Sequence, residues 1–285
     1  MDMKIREAKD NDVTACGRIC YEAFHTVATE HNFPPDFPNT EAGVATVAMM
    51  ISHPGFHGVV AELDGKIAGS NFLDERGPIA GVGPISVDPH IQNQGIGRRL
   101  MLAVMERSEQ RGFAGIRLLQ AGYHCRSLSL YTKLGFDPRE HISCFQGPSI
   151  NETIPGYNVR AANQRDIDAC NRLCIRVHGH HRGGEVRDAV AAGTASVVER
   201  AGRITGYATQ IAYFAHAVAE NNDDLQGLIS AATSFGGPGF LVPSRNGALM
   251  RWCLGKGLRV TQTATLMTMG LYNEPSGAYL PSILY

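Results

Sequence analysis

One segment carries more information than any other in the chain: Val82-Gly-Pro-Ile-Ser-Val-Asp-Pro-His-Ile-Gln-Asn-Gln-Gly-Ile-Gly97. It predicts a β-strand that ends at Asp88-Pro89, followed by a short loop and the first turn of a helix. The buried face of that helix is predicted from apolar residues at helical spacing, namely Leu100, Met101, Val104 and Met105.

The loop between strand and helix contains the pattern Gln92-x-x-Gly95-x-Gly97. Glycines let the backbone approach a ligand, and the N–H groups in the first turn of a helix lack intrahelical partners, so such a turn can bind phosphate. A P-loop is excluded because Arg98 follows Gly97 where that motif needs lysine. The dinucleotide fingerprint is excluded because it needs three glycines after the first strand of a βαβ unit.

A second motif follows at a suitable distance. The helix is succeeded by a predicted strand over residues 115–120 and then by His124-Cys-Arg-Ser-Leu-Ser-Leu-Tyr-Thr-Lys-Leu-Gly-Phe136. The combination resembles the GNAT N-acetyltransferase superfamily over residues 1 to about 145. This resemblance implies an α/β fold with mixed, mostly antiparallel sheets flanked by helices, and acetyl-CoA as the cosubstrate.

The resemblance also implies roles for individual residues. The family's first motif cradles the pyrophosphate of acetyl-CoA, and Val87 matches the strand-end position whose backbone pairs with pantetheine. Tyr131 matches the tyrosine that faces the thioester sulfur, and it is the implied catalytic residue. The implied cofactor-binding residues are Ile85, Ser86, Val87, Gln92, Asn93, Gln94, Gly95, Ile96, Gly97, Arg98, His124, Ser127 and Tyr131.

The general base is where the sequence departs from the family. Many members carry a glutamate about ten residues before the glutamine of the loop, whereas residues 80–85 here contain no ionisable group. Deprotonation of an amine must then use another residue, a water chain or an amine of low pKa. The candidate bases are Asp74 and Glu75 after a predicted strand, and His25 and His31 in the loop expected after the first helix.

Composition excludes several classes of protein. A net charge of −1 and the absence of any basic cluster predict no nucleic-acid partner. No stretch approaches the roughly 18 apolar residues of a membrane span, so no membrane association and a cytoplasmic location are expected. The seven cysteines are expected to be free thiols. The histidines of 178–181 lack nearby ligands at metal-binding spacing, and no metal is expected.

The second half of the chain is a degraded copy of the first. Residues 5–16 align without gaps on residues 159–170, and residues 62–69 align on residues 199–206. We therefore predict two domains, a GNAT acetyltransferase domain over 1–147 and a degenerate GNAT-like domain over 158–285. Residues 240–249 are taken as the counterpart of the phosphate loop, and no counterpart of the Leu-Tyr-x-Lys-Leu-Gly-Phe motif is found near residue 266.

These observations predict an N-acetyltransferase that transfers the acetyl group from acetyl-CoA to a primary amine of a small molecule by direct attack on the thioester. The alternative is a CoA-binding sensor or regulatory module without turnover, since the family's carboxylate is missing. A scaffold of two inactive copies is disfavoured by the intact motifs. The protein is expected to be a monomer or a homodimer, and the sequence does not identify the acceptor.

Overall fold

The computed structural model describes residues 3–285. The first lobe contains β1 (Met3–Glu7), α1 (Val13–Glu30), α2 (Thr40–Ser52), β2 (Phe56–Leu63), β3 (Lys66–Asp74), β4 (Ile79–Val82), β5 (Ser86–Val87), α3 (Ile96–Arg111), β6 (Gly115–Ala121), α4 (Cys125–Lys133) and β7 (Asp137–Gln146). The second contains β8 (Asn158–Ala161), α5 (Ile167–His178), α6 (Gly183–Ala191), β9 (Ser196–Arg200), β10 (Arg203–Ala208), β11 (Ala217–Ala219), α7 (Asn222–Ala231), β12 (Phe240–Pro243), α8 (Gly247–Gly255), β13 (Arg259–Gly270) and β14 (Ala278–Leu280). The predicted α/β class and the division into two lobes with repeated elements are confirmed.

Two sheets organise these elements. A nine-stranded sheet has the order β1-β2-β3-β4-β6-β13-β7-β12, with β5 paired to β3. Its pairs are antiparallel except for β4 with β6. A five-stranded antiparallel sheet has the order β14-β11-β10-β9-β8. The prediction of mixed, mostly antiparallel sheets is therefore confirmed.

The two lobes exchange strands at the centre of the larger sheet. Strand β13 of the second lobe lies between β6 and β7 of the first, and β7 in turn pairs with β12 of the second. The side chains follow the strands, because Met267 on β13 packs in the first-lobe core and Phe145 on β7 packs in the second-lobe core. Each core therefore needs residues from both halves. The domain boundaries at 147 and 158 stay a prediction.

The internal repeat has a structural counterpart. Arg6 makes two hydrogen bonds to Asp12, of 2.7 and 2.9 Å, and Arg160 makes two of the same lengths to Asp166. Each arginine also binds a glutamate of the neighbouring strand, at 3.0 Å from Nε in both lobes: Glu62 for Arg6 and Glu199 for Arg160. In each lobe the arginine lowers the pKa of its aspartate. The residues that the two copies share thus tie β1 or β8 to the adjacent helix start and hairpin.

Helix α3 forms as its sequence predicts. Leu100, Met101 and Val104 are fully buried. Gly95 precedes the helix and Gly112 follows it, both in left-handed backbone conformations with φ of 78° and 69°.

Two further findings concern the whole described chain. All seven cysteines are free thiols, as predicted. Within residues 3–285, no helix is both long and apolar enough to cross a membrane.

Candidate active site

A cleft opens in the first lobe where β4 and β6 stop pairing. The two strands pair in parallel from Ile79 to Gly81 of β4, whereas β5 pairs with β3 instead. Pro84, which has no N–H to donate, lies in the break between β4 and β5. The divergence leaves a cleft of about 340 Å³, and residues of both lobes line it.

The glycine loop forms one end of this cleft. Gly95 adopts φ of 78°, a conformation that favours glycine whether or not a ligand is bound. Gly97 has no such constraint, since a Cβ placed there would come no closer than 3.7 Å to another protein atom. Protein packing therefore does not require glycine at position 97. The open space beside the first turn of α3 fits a group that approaches the backbone closely, as a phosphate does.

The structure brings together most of the residues assigned from the sequence. Of the described residues, Gln94 of the assigned set is exposed and outside the lining of the cleft. The other twelve line it: Ile85, Ser86, Val87, Gln92, Asn93, Gly95, Ile96, Gly97, Arg98, His124, Ser127 and Tyr131. Their contacts with acetyl-CoA stay a prediction.

Two arginines make the glycine-loop end of the cleft positive. Arg98 lines the cleft and is exposed, and Arg126 lines it from the first turn of α4. Arg126 donates from Nη1 to Oε1 of Gln92 at 2.6 Å, which links α4 to the loop. Arg126 was not among the predicted site residues, although it lies between His124 and Ser127 in the second motif. Positive charge at this end suits a polyphosphate.

Tyr131 lies on α4 with its side chain at the cleft, where it is 7% exposed. Burial raises the pKa of its hydroxyl well above the usual value. Full proton transfer to a thiolate is then more unfavourable, but the hydroxyl stays protonated and can donate a hydrogen bond. The environment of Tyr131 therefore suits hydrogen-bond donation to a leaving thiolate.

The two carboxylates considered as general bases lie away from the cleft, in ion pairs. Asp74 accepts two hydrogen bonds from the guanidinium of Arg76, at 2.5 and 2.9 Å. Glu75 is paired with Arg107 at 2.7 Å. Because each already has a cationic partner and neither is among the described residues that line the cleft, neither is positioned to accept a proton from an amine there.

The two histidines considered as bases are also outside the lining formed by residues 3–285. His25 lies within α1, which continues to Glu30, and stacks on Tyr21; its placement in a loop was wrong. His31 follows α1, and its ring lies 5.5 Å from the ring of Tyr123 at the rim. Helix α1 is longer than predicted, so it includes His25 and ends just before His31.

A different carboxylate lines the cleft. Asp36, in the loop between α1 and α2, accepts at Oδ1 from the Gln262 side-chain amide at 3.1 Å and from the Tyr213 hydroxyl at 3.3 Å. Burial raises the pKa of Asp36, and these two hydrogen bonds oppose that rise. Asp36 was not among the predicted site residues. The only local signal is an acidic residue between Pro35 and Phe37, because its partners lie 177 and 226 residues away in the chain.

In the second lobe, the counterpart of the phosphate loop is not the one predicted. Matching the elements in order pairs α7 with α3 and α8 with α4, so the prediction of residues 240–249 was one helix too late. The true counterpart is the start of α7, which reads Asn221-Asn222-Asp223-Asp224. It lacks the paired glycines, and its two aspartates would repel a phosphate.

A remnant of the second motif is also present, in contrast to the prediction. The end of α8 and the turn after it read Cys253-Leu-Gly-Lys-Gly-Leu258. Leu258 donates its backbone N–H to the carbonyl of Cys253, as Phe136 does to that of Tyr131. Cys253 therefore takes the place of the catalytic candidate Tyr131, and it is fully buried in the second-lobe core. The sequence pattern did not reveal this remnant because only the turn geometry and one glycine of the motif persist.

Strand β14 lies in the gap that corresponds to the cleft. It pairs with β11 along Ala278–Leu280 and also contacts β12. In the first lobe, the equivalent space between β5 and β6 is open. A cavity of about 380 Å³ remains beside β14 at the start of α7. Its lining includes Glu220 and neither of the motif features of the first lobe, which agrees with a degenerate domain.

Comparison with known proteins agrees with this geometry. Residues 21–136 match the model of the acetyltransferase (GNAT) family. The first lobe is a GNAT-family domain. A mycothiol acetyltransferase from Nocardia farcinica (strain IFM 10152) is 37% identical over 65 residues, which are 23% of this chain and 22% of that protein. The chain thus matches less than a quarter of the length of that relative.

Solved structures extend the likeness of fold to both lobes. A suspected acetyltransferase from Pyrococcus horikoshii superposes with a TM-score of 0.74 at 15% identity, covering 97% of this chain and 94% of the other. A tandem GNAT protein from the clavulanic acid biosynthesis pathway gives 0.57 at 12% identity, covering 99% and 100%. At these identities the likeness concerns the fold. The fold of the chain is thus similar to that of a tandem GNAT protein.

Proposed function

We propose that this protein is an acetyl-CoA-dependent N-acetyltransferase that acetylates a primary amine of a small molecule, with its working site in the first lobe. The observation that carries the proposal is the cleft between β5 and β6, which has a glycine loop and two arginines at one end and Asp36 among its lining residues. Membership of the first lobe in the GNAT family supports acetyl transfer.

The residues present fit acetyl-CoA. The first turn of α3, Arg98 and Arg126 would hold its phosphates, and the backbone of Val87 would face the pantetheine arm. When bound, acetyl-CoA supplies a thioester that an amine can attack directly. Tyr131 would donate a hydrogen bond to the sulfur that leaves, and a backbone N–H near the end of β5 would polarise the acetyl carbonyl.

The second lobe limits what can enter as the acceptor. Tyr213 and Phe214 come from the second lobe and line the first-lobe cleft, as do Ile283 and Leu284 near the last residue of the sequence. Because these residues reduce the space beside the acetyl end, the enclosed volume favours a small molecule over a protein terminus. The second lobe is proposed to form part of the acceptor site.

The test is release of free thiol from acetyl-CoA in the presence of a panel of primary amines. We expect release that requires both the protein and an amine, with an N-acetylated product identified by mass spectrometry. A reaction without amine measures hydrolysis and is the control. Tight CoA binding, with no thiol released from acetyl-CoA in the presence of any amine of the panel, would instead support the alternative of a CoA-binding sensor.

A further inference from the structure

We infer that the acceptor is a small primary amine with a single ammonium group on an apolar, aromatic-sized body, and that Asp36 binds this ammonium and takes its proton. The inference rests on the proposed function and adds the acceptor class and the base. It is carried by the position of Asp36 among neutral hydrogen-bond donors and aromatic rings in the cleft.

Asp36 is the only carboxylate among the described residues that line the cleft, and no cation of residues 3–285 is ion-paired with it. Its two protein partners are neutral donors, Gln262 and Tyr213, and both bind Oδ1. Asp36 is half-buried, and a carboxylate partly withdrawn from water is costly unless a charge or hydrogen bonds compensate it. An ammonium group that reaches Oδ2 would supply the missing positive charge.

The two protein partners also keep the carboxylate in place. Gln262 lies on the exchanged strand β13 and is 5% exposed, and its amide also donates to the Tyr213 hydroxyl at 3.1 Å. Burial raises the pKa of Tyr213 well above its usual value, so this hydroxyl remains a donor. Gln262 and Tyr213 are therefore positioning residues, and both belong to the second half of the chain.

Aromatic rings from four segments line the same cleft as this carboxylate. Phe24 and Phe37 are in edge contact at 5.8 Å between ring centroids, and Phe37 lies 6.4 Å from Phe214. Tyr123, in the connection between β6 and α4, also lines the cleft. Rings of this kind favour an apolar or aromatic body and also attract its ammonium group.

The single carboxylate of the cleft lining disfavours two other classes of amine, polyamines and amino acids. A polyamine would place its second ammonium where the described lining offers no second carboxylate. An amino acid would bring a carboxylate close to Asp36, and the two like charges would repel each other. A single ammonium on an apolar body meets neither obstacle.

The ammonium group loses two protons as it becomes an amide. The ammonium gives one proton to the Asp36 carboxylate, and the neutral amine forms the C–N bond to the acetyl carbon. The C–S bond breaks, and the second proton, released as the amide forms, goes to the thiolate sulfur next to Tyr131. Asp36 then returns its proton to water.

The experiment compares acetyl transfer to 2-phenylethylamine, ethylamine, spermidine and phenylalanine. We expect the highest kcat/KM for 2-phenylethylamine, and a loss of at least about 100-fold in Asp36→Asn with CoA affinity unchanged within about twofold. Glu41→Gln removes an exposed carboxylate in the first turn of α2 and is the matched control. Phe214→Ala, at a residue that is 38% exposed, should narrow the preference for 2-phenylethylamine over ethylamine.

The pH dependence of activity tests separately whether Tyr213 positions the Asp36 carboxylate. Activity should rise with pH as Asp36 ionises, with a midpoint above the 3.8 of an ordinary aspartate. Tyr213→Phe removes a donor to the carboxylate, so it should raise the Asp36 pKa and move the acid limb to higher pH. A variant that merely loosened the fold would lower the rate at every pH.

Failure of this inference can be told apart from failure of the proposed function. Preferred turnover of spermidine or phenylalanine, or full activity in Asp36→Asn, would refute the acceptor assignment and leave the acetyltransferase intact. If no amine is turned over, calorimetric binding to the CoA-loaded protein decides. Binding of 2-phenylethylamine, but not of 2-phenylethanol, that disappears in Asp36→Asn supports the site, and absence of binding to the wild type refutes it.

Discussion

The Gly97→Val substitution tests whether the backbone at the start of α3 holds phosphate. A Cβ at this position would lie 3.7 Å from Val87 Cγ2 and 3.8 Å from Leu130 Cδ2, which is ordinary van der Waals contact. The two methyl groups of valine must then project into the open part of the cleft. Helix propensity does not oppose the change, because glycine is the poorer helix former. The fold should therefore survive while the phosphate is displaced.

The expected loss of affinity follows from the hydrogen bonds at stake. Displacing the phosphate from one backbone N–H removes a hydrogen bond to a charged group, worth about 1.5–3 kcal/mol. CoA affinity should therefore fall roughly ten- to hundredfold. Isothermal titration of CoA into the purified variant measures this directly, with the thermal unfolding midpoint as the check of folding.

Gly255→Val provides a matched control. Gly255 ends α8 in the second lobe, and a Cβ there meets no other protein atom within 4 Å. This substitution should leave CoA affinity unchanged. Unaltered affinity in a folded Gly97→Val variant, or equal losses in both variants, would show that the glycine loop is not where the phosphates bind.

Three further predictions concern chemistry, stoichiometry and folding. Tyr131→Phe should lower kcat about 10- to 1000-fold with little change in acetyl-CoA affinity, and weaker binding at unchanged kcat would make Tyr131 a binding residue instead. Calorimetric titration of the full chain should give one CoA per chain, because β14 lies in the second gap and the start of α7 has two aspartates in place of the paired glycines; a ratio near two would contradict this. Residues 1–147 and 158–285 should each be insoluble when expressed alone and should recover when co-expressed, because β7 and β13 are exchanged. A soluble, folded single half would refute that dependence.

Much of the first lobe could be predicted because its signals are local. The glycine loop, the apolar face of α3 and the motif ending at Phe136 each lie within a short segment, so periodicity and spacing were sufficient. The repeat was also visible, since Arg6, Asp12 and Glu62 have identical counterparts that form the same ion pairs. Where identity was lost, as at the start of α7, the counterpart was misplaced by one helix.

The sequence by itself determined that the chain has a glycine loop suited to phosphate, a tyrosine in the second motif and a second copy of the fold without those features. Only the tertiary structure decided that β13 crosses into the first sheet and that Asp36 meets Tyr213 and Gln262 in the cleft. The physical reason is that strand pairing and buried hydrogen bonds join residues far apart in the chain. Local periodicity does not indicate which distant strand or side chain will be the partner.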